Sequence, residues 1–275
     1  MSIAPAIVVV IPYYQQDEFL AEAVRSVKAQ TYANVEIVVV DDCSPGLPAA
    51  RILEAAGLSG VKVLRHEENR GLGAARNTGI SASSAELIVS LDADDLIAPD
   101  YLEVTAALMA KGDYAVVSTS VRQFGEADAT WTPVLRLPEI LMRGAPSTFL
   151  FRRSVFDGVG GYNEALRHSP DKAFLISILR AGHEIGLVDR PLYLYRKHSE
   201  QFSAREDAAE EFVRATFGTH SDLYEQHLLE VVTTGARGLW DSASVLRKAR
   251  TQLEKLHRLR STYDDLAAQY SAAGA

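Results

Sequence analysis

Two hydrophobic periods alternate along the first part of the chain. A continuous apolar run occupies residues 6–11, and mostly apolar segments follow at 35–40, 61–64 and 86–91. The first run predicts a strand buried on both faces, because neither of its faces is polar, and the other segments also predict strands. Between them, apolar residues recur at helical spacing, as Phe19, Val24 and Val27 do after Asp17. This alternation predicts an α/β fold, an open and mostly parallel sheet flanked by helices with right-handed crossovers.

The simple alternation stops after residue 110. Further strands are predicted at 114–118, 149–151 and 185–188, with a helix at 170–181. From Glu206 onward the chain contains no proline and its pattern is helical. We therefore expect one α/β domain over 1–204, with halves at 1–110 and 111–204. Residues 205–275 are expected to form a helical C-terminal extension.

Composition narrows the class of protein. The 275 residues are 47% hydrophobic and 23% charged, which is typical of a globular chain, and the net charge of −8 argues against a nucleic-acid partner. The single cysteine, Cys43, excludes an internal disulfide. The first residues lack a basic region, and no apolar stretch approaches the ~18 residues of a membrane span. These features predict a cytoplasmic protein, with at most peripheral contact at the inner membrane face.

Acidic turns follow two of the predicted strands. Asp41-Asp42 follows the second strand and Asp92-Ala93-Asp94-Asp95 follows the fourth, while Pro12-Tyr13-Tyr14 ends the first. The carboxyl ends of parallel strands meet at one edge, where ligands bind. Converging carboxylates repel one another unless a cation lies among them, so the pattern favours Mg²⁺ or Mn²⁺, completed by substrate phosphates and water. Each turn taken alone is more simply explained by local capping.

Five separated motifs support a more specific interpretation. They are Ile7–Tyr14, Ser26–Tyr32, Glu36–Ser44, Asn69–Asn77 and Leu91–Asp95. Their order and spacing resemble glycosyltransferase family 2, and the resemblance covers roughly residues 6–200. It implies a GT-A fold with a nucleotide-binding half at 1–110 and an acceptor half at 111–204. It also implies inverting transfer of a sugar from a nucleotide diphosphate donor, with UDP favoured, to an acceptor hydroxyl.

The resemblance assigns the donor site residue by residue. Pro12 and Tyr14 would line the pocket for the base, the tyrosine offering its aromatic face. Asp42 would accept a hydrogen bond from the base, with Asp41 supporting the loop. Arg76 would reach the nucleotide from the other side. The alternatives are an ordinary strand end for Pro12 and Tyr14, and a solvated helix arginine for Arg76.

The resemblance also implies the metal site. Asp92 would reach the ribose or a metal-bound water, and Asp94 would bind Mn²⁺ or Mg²⁺ directly. Asp95 would either support this turn or cap the helix near Pro99, and we favour support. His198, in Tyr195-Arg196-Lys197-His198, would approach the metal or the diphosphate. An isolated histidine is more often structural.

Asp171 is the candidate catalytic base. Pro170-Asp171-Lys172 stands where the family usually has Glu-Asp-Trp, so both neighbours of the aspartate depart from the pattern. The preceding Gly160-Gly161-Tyr162 resembles a family segment beside donor and acceptor, or is only a turn. A structural alternative for Asp171 is a first-turn acid after a Ser169 N-cap, where the helix dipole would lower its pKa.

The C-terminal extension lies outside the resemblance. Apolar residues between Leu246 and Tyr270 follow a heptad-like spacing interrupted by Arg260, which suits pairing with another chain. Between Arg247 and Arg260, six basic residues against one acidic residue give a local charge of +5. This charge suits anionic lipid or a lipid-linked acceptor. The alternative is a helix packed on its own domain with its charges in water.

The sequence lacks the motifs that two other classes of nucleotide-binding protein require. The segment Gly71–Arg76 lacks the last glycine of a dinucleotide fingerprint and does not follow the first strand. The chain also lacks the Gly-Lys-Ser/Thr loop of many phosphotransferases. The remaining alternative is a noncatalytic nucleotide-sugar binding protein of the same fold. The acceptor is left open among a saccharide, a lipid-linked molecule and a small molecule.

Overall fold

The computed structural model describes residues 4–137, 139–142, 145–167, 169–199, 201, 219–223 and 226–227. Its strands are Ile7–Tyr13 (β1), Val35–Asp41 (β2), Lys62–Arg65 (β3), Leu87–Ser90 (β4), Leu96–Ile97 (β5), Tyr114–Gly125 (β6), Ala129–Trp131 (β7), Leu150–Arg152 (β8) and Glu184–Lys197 (β9). Its helices are Leu20–Lys28 (α1), Ala49–Ala55 (α2), Leu72–Ser81 (α3), Tyr101–Lys111 (α4), Glu139–Met142 (α5), Arg153–Val159 (α6) and Pro170–Arg180 (α7).

One mixed sheet contains all the described strands. Its order is β3-β2-β1-β4-β8-β6-β9-β5, with β7 paired to β6. The first four neighbours are parallel, as the alternating pattern predicts. Beyond β4 the pairing is mixed, because β8 is antiparallel to both β4 and β6 while β6 and β9 are parallel. No helix among the described residues is long and apolar enough to cross a membrane.

The strand order positions the functional edge. From β1 the chain moves outward to β2 and β3, then returns across β1 to add β4 on its other side. The order therefore reverses between β1 and β4, and a crevice forms beyond the carboxyl ends of strands at such a point. The polar turns after β1, β2 and β4 begin at this edge, because these strands run in the same direction.

Helices on both faces explain the continuous apolar runs. Ile7, Val9 and Ile11 belong to the main core together with residues of α1 and α4. Val10 faces the opposite side, where α3 packs so closely that a Cβ on Gly79 would lie 2.3 Å from its Cγ1. Both faces of β1 are covered, which explains why its residues from Ile7 to Ile11 are all apolar and buried.

The structure extends several predicted elements. β6 and β9 continue to Gly125 and Lys197, well past the predicted segments, and their pairing contains register shifts. Their distal halves carry polar residues at partly exposed positions, so the hydrophobic pattern ends before the strand does. β5, β7, α5 and α6 were not predicted; each has between two and seven residues, and a segment of that length gives only a weak hydrophobic pattern.

The predicted C-terminal extension falls largely outside the described residues. The chain divides into one compact unit at Met1–Ser221 and a second at Asp222–Ala275. The boundary near residue 204 stays a prediction. The heptad-like spacing and the basic stretch between Arg247 and Arg260 lie outside the described residues, so their proposed roles also stay predictions.

The close approach of α3 to the sheet gives a stability prediction. In Gly79→Ala the new Cβ would meet Val10 Cγ1 at 2.3 Å and Val40 Cγ2 at 3.0 Å, so the helix must move away from β1 and β2. We expect the free energy of unfolding to fall by about 1–3 kcal/mol, measured by urea denaturation.

Gly158→Ala is the matched control. Gly158 is an exposed position in α6, and a Cβ there would meet no atom of the described chain within 4 Å. Alanine is the better helix former, so this variant should be unchanged or slightly more stable. Similar losses in both variants would contradict the close packing of α3.

Candidate active site

The turn after β2 is folded around Asp41. Its buried carboxylate accepts hydrogen bonds from the N–H groups of Ser44 at 2.8 Å and Ala49 at 3.1 Å, and it pairs with Arg65. The predicted role of Asp41 as a support for the loop is confirmed. Its two oxygens are occupied by the protein itself.

Asp42 joins the same edge to the glycine-rich loop before α3. Its carboxylate accepts the N–H of Arg70 at 2.9 Å and the N–H of Gly71 at 2.7 Å. Gly71 has φ of 91°, a conformation that favours glycine. The side chain of Asp42 is buried and also contacts His66 Nδ1 at 2.6 Å. His66 was not singled out from the sequence, although its place just after β3 could have marked it.

Pro12 and Tyr14 lie where β1 ends. Pro12 is buried within the strand opposite Val40, whereas Tyr14 is 40% exposed. The next residue, Gln15, donates its N–H to Ser44 Oγ at 3.0 Å, which ties the turn after β1 to the turn after β2. Tyr14 therefore offers an accessible aromatic ring beside Asp42's turn.

Arg76 is the central buried charge of the site. It is 0% exposed, so the alternative of a solvated helix arginine is wrong. Its Nη2 contacts Asp92 Oδ1 at 2.7 Å, its Nη1 lies 3.8 Å from Asp171 Oδ1, and its guanidinium lies 5.2 Å from the Tyr162 ring centre. Burial alone would lower the pKa of Arg76, but the nearby charges, Asp92 foremost, raise it above its usual value.

Asp92 and Asp94 keep partial access to solvent. The side chain of Asp92 is 22% exposed and that of Asp94 is 11% exposed. Asp94 Oδ2 lies 3.1 Å from His198 Nε2, and the His198 ring stands 4.9 Å from the ring of Phe19. Burial, with the charge of Asp92 added, raises the pKa of Asp94 despite the hydrogen bond from His198. The structure thus brings together the two residues predicted to bind the metal.

Asp95 holds the turn after β4 against β9. The carboxylate is fully buried and accepts hydrogen bonds from the Tyr193 hydroxyl and from the N–H of Arg196 at 2.8 Å. Arg196 Nε also donates to the carbonyl of Asp94 at 2.7 Å. The predicted supporting role is confirmed, and the alternative of a helix cap is wrong because α4 begins only at Tyr101.

The side chains beside Asp94 suit a hard divalent cation that takes few ligands from the protein. The candidate ligands are the Asp94 carboxylate and the His198 imidazole, with Asp92 in the same turn. Among the described residues, no group of three or more metal-ligating side chains is arranged around one point. Mg²⁺ and Mn²⁺ commonly take their remaining ligands from substrate phosphates and water. A cation would also offset the charges that raise the pKa of Asp94, so these residues fit such an ion.

Asp171 lies in the first turn of α7. α7 starts at Pro170 as predicted, but Ser169 has φ of 50° and its side chain makes no capping hydrogen bond within the described part of the chain. The Asp171 side chain is 16% exposed. Burial raises its pKa, Arg76 lowers it and Asp92 raises it further, with a net increase. First-turn backbone N–H groups lower the pKa, as the helix N-terminus predicts, but loss of solvent and the like charge of Asp92 outweigh that effect.

Lys172 takes the position next to the candidate base. It is buried, and its Nζ donates a hydrogen bond to the carbonyl of Leu141 in α5 at 3.2 Å. Burial lowers the pKa of Lys172 to about 7, with Asp171 acting in the opposite direction. The substitution of lysine for an aromatic residue therefore adds a buried amine beside Asp171.

The Gly160-Gly161-Tyr162 segment is bound to α3. Asn77 donates to the carbonyl of Tyr162 at 2.8 Å and accepts its N–H at 2.9 Å. The Tyr162 ring stacks on Phe174 of α7 with centres 4.4 Å apart. Both glycines have positive φ, of 83° and 75°. Through this turn, α3 is linked to α7, the helix that carries Asp171.

Comparison with known proteins gives a consistent result. The sequence profile described as Glycosyl transferase family 2 matches residues 8–175. The succinoglycan biosynthesis protein ExoO of Rhizobium meliloti is 32% identical over 211 residues, which is 70% of this chain and 60% of that protein. The chain spans 60 to 62% of the length of ExoO and two further curated relatives.

Two solved structures share the fold. TarS of S. aureus in complex with UDP-GlcNAc has a TM-score of 0.63 and 19% identity, covering 89% of this chain and 78% of TarS. The mannosyltransferase PcManGT of Pyrobaculum calidifontis, in complex with GDP-Man and Mn²⁺, has a TM-score of 0.60 and 18% identity, covering 92% and 85%. At this level of identity the likeness establishes the architecture, and the predicted GT-A fold is confirmed.

Removing the buried guanidinium of Arg76 should destabilise the domain strongly. In Arg76→Met the carboxylates of Asp92 and Asp171 lose the guanidinium between them. Breaking a buried pair by deleting one partner costs about 3–5 kcal/mol. We expect a loss of that size in the free energy of unfolding, measured by urea denaturation near pH 7.

Arg70→Met provides the comparison at the surface. Arg70 pairs with Glu164 at 3.0 Å, and both side chains are 45% exposed. Exposed pairs contribute about 0–1 kcal/mol, so this variant should stay close to the parent. Equal losses in the two variants would show that Arg76 does not hold the site together.

Proposed function

The chain belongs to glycosyl transferase family 2, and on that premise we propose that it transfers a sugar from a nucleotide diphosphate sugar to an acceptor hydroxyl with inversion. The observation that carries the proposal is the arrangement around Arg76. A carboxylate of the donor edge, Asp92, and the candidate base, Asp171, approach one guanidinium from two parts of the chain. Donor and acceptor groups therefore share one crevice.

Asp171 acts as the general base in this proposal. As the acceptor oxygen attacks the anomeric carbon, the carboxylate takes the hydroxyl proton, and the bond from that carbon to the diphosphate oxygen breaks. The departing diphosphate keeps the electron pair. Partial burial supports the role of Asp171, because its raised pKa makes the carboxylate a stronger base than an exposed aspartate. Arg76 keeps the carboxylate ionised by opposing this increase.

The donor binds at the edge formed by the turns after β1, β2 and β4. Tyr14 stacks on the base and Asp42 accepts a hydrogen bond from it, while Pro12 shapes the wall behind them. UDP is the favoured nucleotide. Support comes from related folds, since TarS is seen with UDP-GlcNAc and PcManGT with GDP-Man.

Asp94 and His198 hold Mn²⁺ or Mg²⁺ in this proposal, with Asp92 contacting the ribose or a metal-bound water. The ion supplies positive charge that offsets the charge developing on the diphosphate. Asp95, Tyr193 and Arg196 keep the turn in place, because each of their contacts is buried or backbone-directed.

The acceptor is a saccharide or a lipid-linked hydroxyl, and the biological setting is polysaccharide or glycoconjugate biosynthesis. The name of ExoO, a succinoglycan biosynthesis protein, supports this setting. A noncatalytic nucleotide-sugar binding protein is the alternative. It is favoured by the unusual surroundings of Asp171, where Lys172 adds a buried amine.

The variant Asp171→Asn distinguishes a glycosyltransferase from a noncatalytic nucleotide-sugar binding protein. The amide cannot take a proton, so turnover should fall roughly 10²- to 10⁴-fold while donor binding persists. Calorimetry and a transfer assay with the same UDP-sugar measure both quantities. Asp157→Asn, at an exposed position of α6, is the control and should leave both unchanged. Full turnover in Asp171→Asn would remove Asp171 from the mechanism.

Asp94→Asn tests the metal assignment. A neutral amide is a weaker ligand for a hard cation than a carboxylate, so the Mn²⁺ affinity of the donor complex should fall at least roughly 10-fold. Titration of donor binding against Mn²⁺ gives the measurement. Asp113→Asn, at an exposed position after α4, should titrate like the parent. A parental titration for Asp94→Asn would refute the assignment.

A further inference from the structure

His66 is a buried residue that the proposed mechanism does not yet use. It follows β3, and its N–H donates to the carbonyl of Asp41 at 2.9 Å, which fixes its backbone against the end of β2. Its ring lies between two side chains. Nδ1 contacts Asp42 Oδ1 at 2.6 Å and Nε2 contacts Thr78 Oγ1 at 2.9 Å. Three segments, the ends of β2 and β3 and helix α3, therefore meet at one imidazole.

The chemistry of the partners fixes the direction of these hydrogen bonds. An ionised carboxylate only accepts, so the ring nitrogen facing Asp42 must carry the hydrogen. In a neutral ring the other nitrogen then accepts the hydroxyl hydrogen of Thr78. Thr78 thus orients the ring, and the ring directs its donor to Asp42. The orientation of Asp42 depends on a chain of contacts that reaches into α3.

The Asp42 carboxylate still has room to accept one more hydrogen bond. A carboxylate has about four lone-pair positions. His66 and the N–H of Arg70 use Oδ1, while the N–H of Gly71 uses Oδ2. Among the described contacts one position remains, and it is on Oδ2. It accepts a ring N–H and repels a ring nitrogen that carries a lone pair.

We infer that His66, held by Thr78, is a positioning residue for donor selection, because it fixes the Asp42 carboxylate so that its one remaining acceptor position faces the base. The inference rests on the proposed binding of the nucleotide base by Asp42. A base with a ring N–H at that edge, such as uracil, satisfies the acceptor. Cytosine presents an unprotonated ring nitrogen there and is disfavoured.

Removing the imidazole frees a second acceptor position and lets the carboxylate rotate. In His66→Leu we expect UDP affinity to fall roughly 10-fold, the size of losing one hydrogen bond to a charged group. CDP affinity should change little, because CDP does not use the fixed orientation. The ratio of UDP to CDP affinity should therefore fall, whereas a purely structural role would lower thermal stability and leave the ratio unchanged.

Calorimetry with UDP and with CDP, each in the presence of Mn²⁺, measures that ratio for the full chain and its variants. Thr78→Val keeps the Asp42 contact but removes the second anchor of the ring, so it should give a smaller decrease. It also keeps the inference testable if His66→Leu does not fold. His183→Gln, at an exposed position after α7, is the matched control and should keep the parental ratio.

Two contrary results have different meanings. If the parent binds UDP in preference to CDP and both His66→Leu and Thr78→Val keep that preference, the role of His66 is overturned while the proposed function stands. If the parent binds neither nucleotide, the donor assignment itself is overturned, and the inference with it.

Discussion

The site depends on the buried guanidinium of Arg76, which lies between two carboxylates. A guanidinium with no access to water is costly unless opposite charges replace the solvent. Arg76 meets this requirement with Asp92 at 2.7 Å and Asp171 at 3.8 Å, although its Nε and Nη1 have no hydrogen-bond partner among the described residues. Because α3 packs tightly on the sheet, the guanidinium has little freedom to move. Asp92 and Asp171 reach it from two separate parts of the chain.

The acidic residues at the edge divide into two groups by their environment. Asp41, Asp42 and Asp95 are buried and accept hydrogen bonds from backbone N–H groups, which stabilise their charge and hold the turns. Asp92, Asp94 and Asp171 keep some access to solvent. The more exposed side chains of this second group include Asp94, the proposed metal ligand, and Asp171, the candidate base. Three of the six carboxylates thus have hydrogen-bond donors supplied by the backbone of the chain itself.

Helix α3 contacts several of the candidate site residues. Its Arg76 faces Asp92 and the candidate base, and its Asn77 binds the backbone of Tyr162. Thr78 orients His66 behind Asp42, and Gly79 permits the close approach to β1 and β2. Four successive residues thus face different parts of the site. A change in this helix would therefore affect Asp92 and Asp171 together, since one guanidinium approaches both carboxylates.

The amino-acid sequence determined the parallel core strands and the edge at which their acidic turns meet, because hydrophobic period and turn composition are local properties. It also marked Asp42, Asp92, Asp94 and Asp171 as candidates. Only the tertiary structure decided that Arg76 is buried, that His66 contacts Asp42, and that the pKa of Asp171 is raised. These features depend on residues far apart in the chain, such as Arg76 and Asp171. The local hydrophobic pattern does not show which side chains will be buried against one another. That burial determines the pKa of each ionisable side chain and which atoms it can contact.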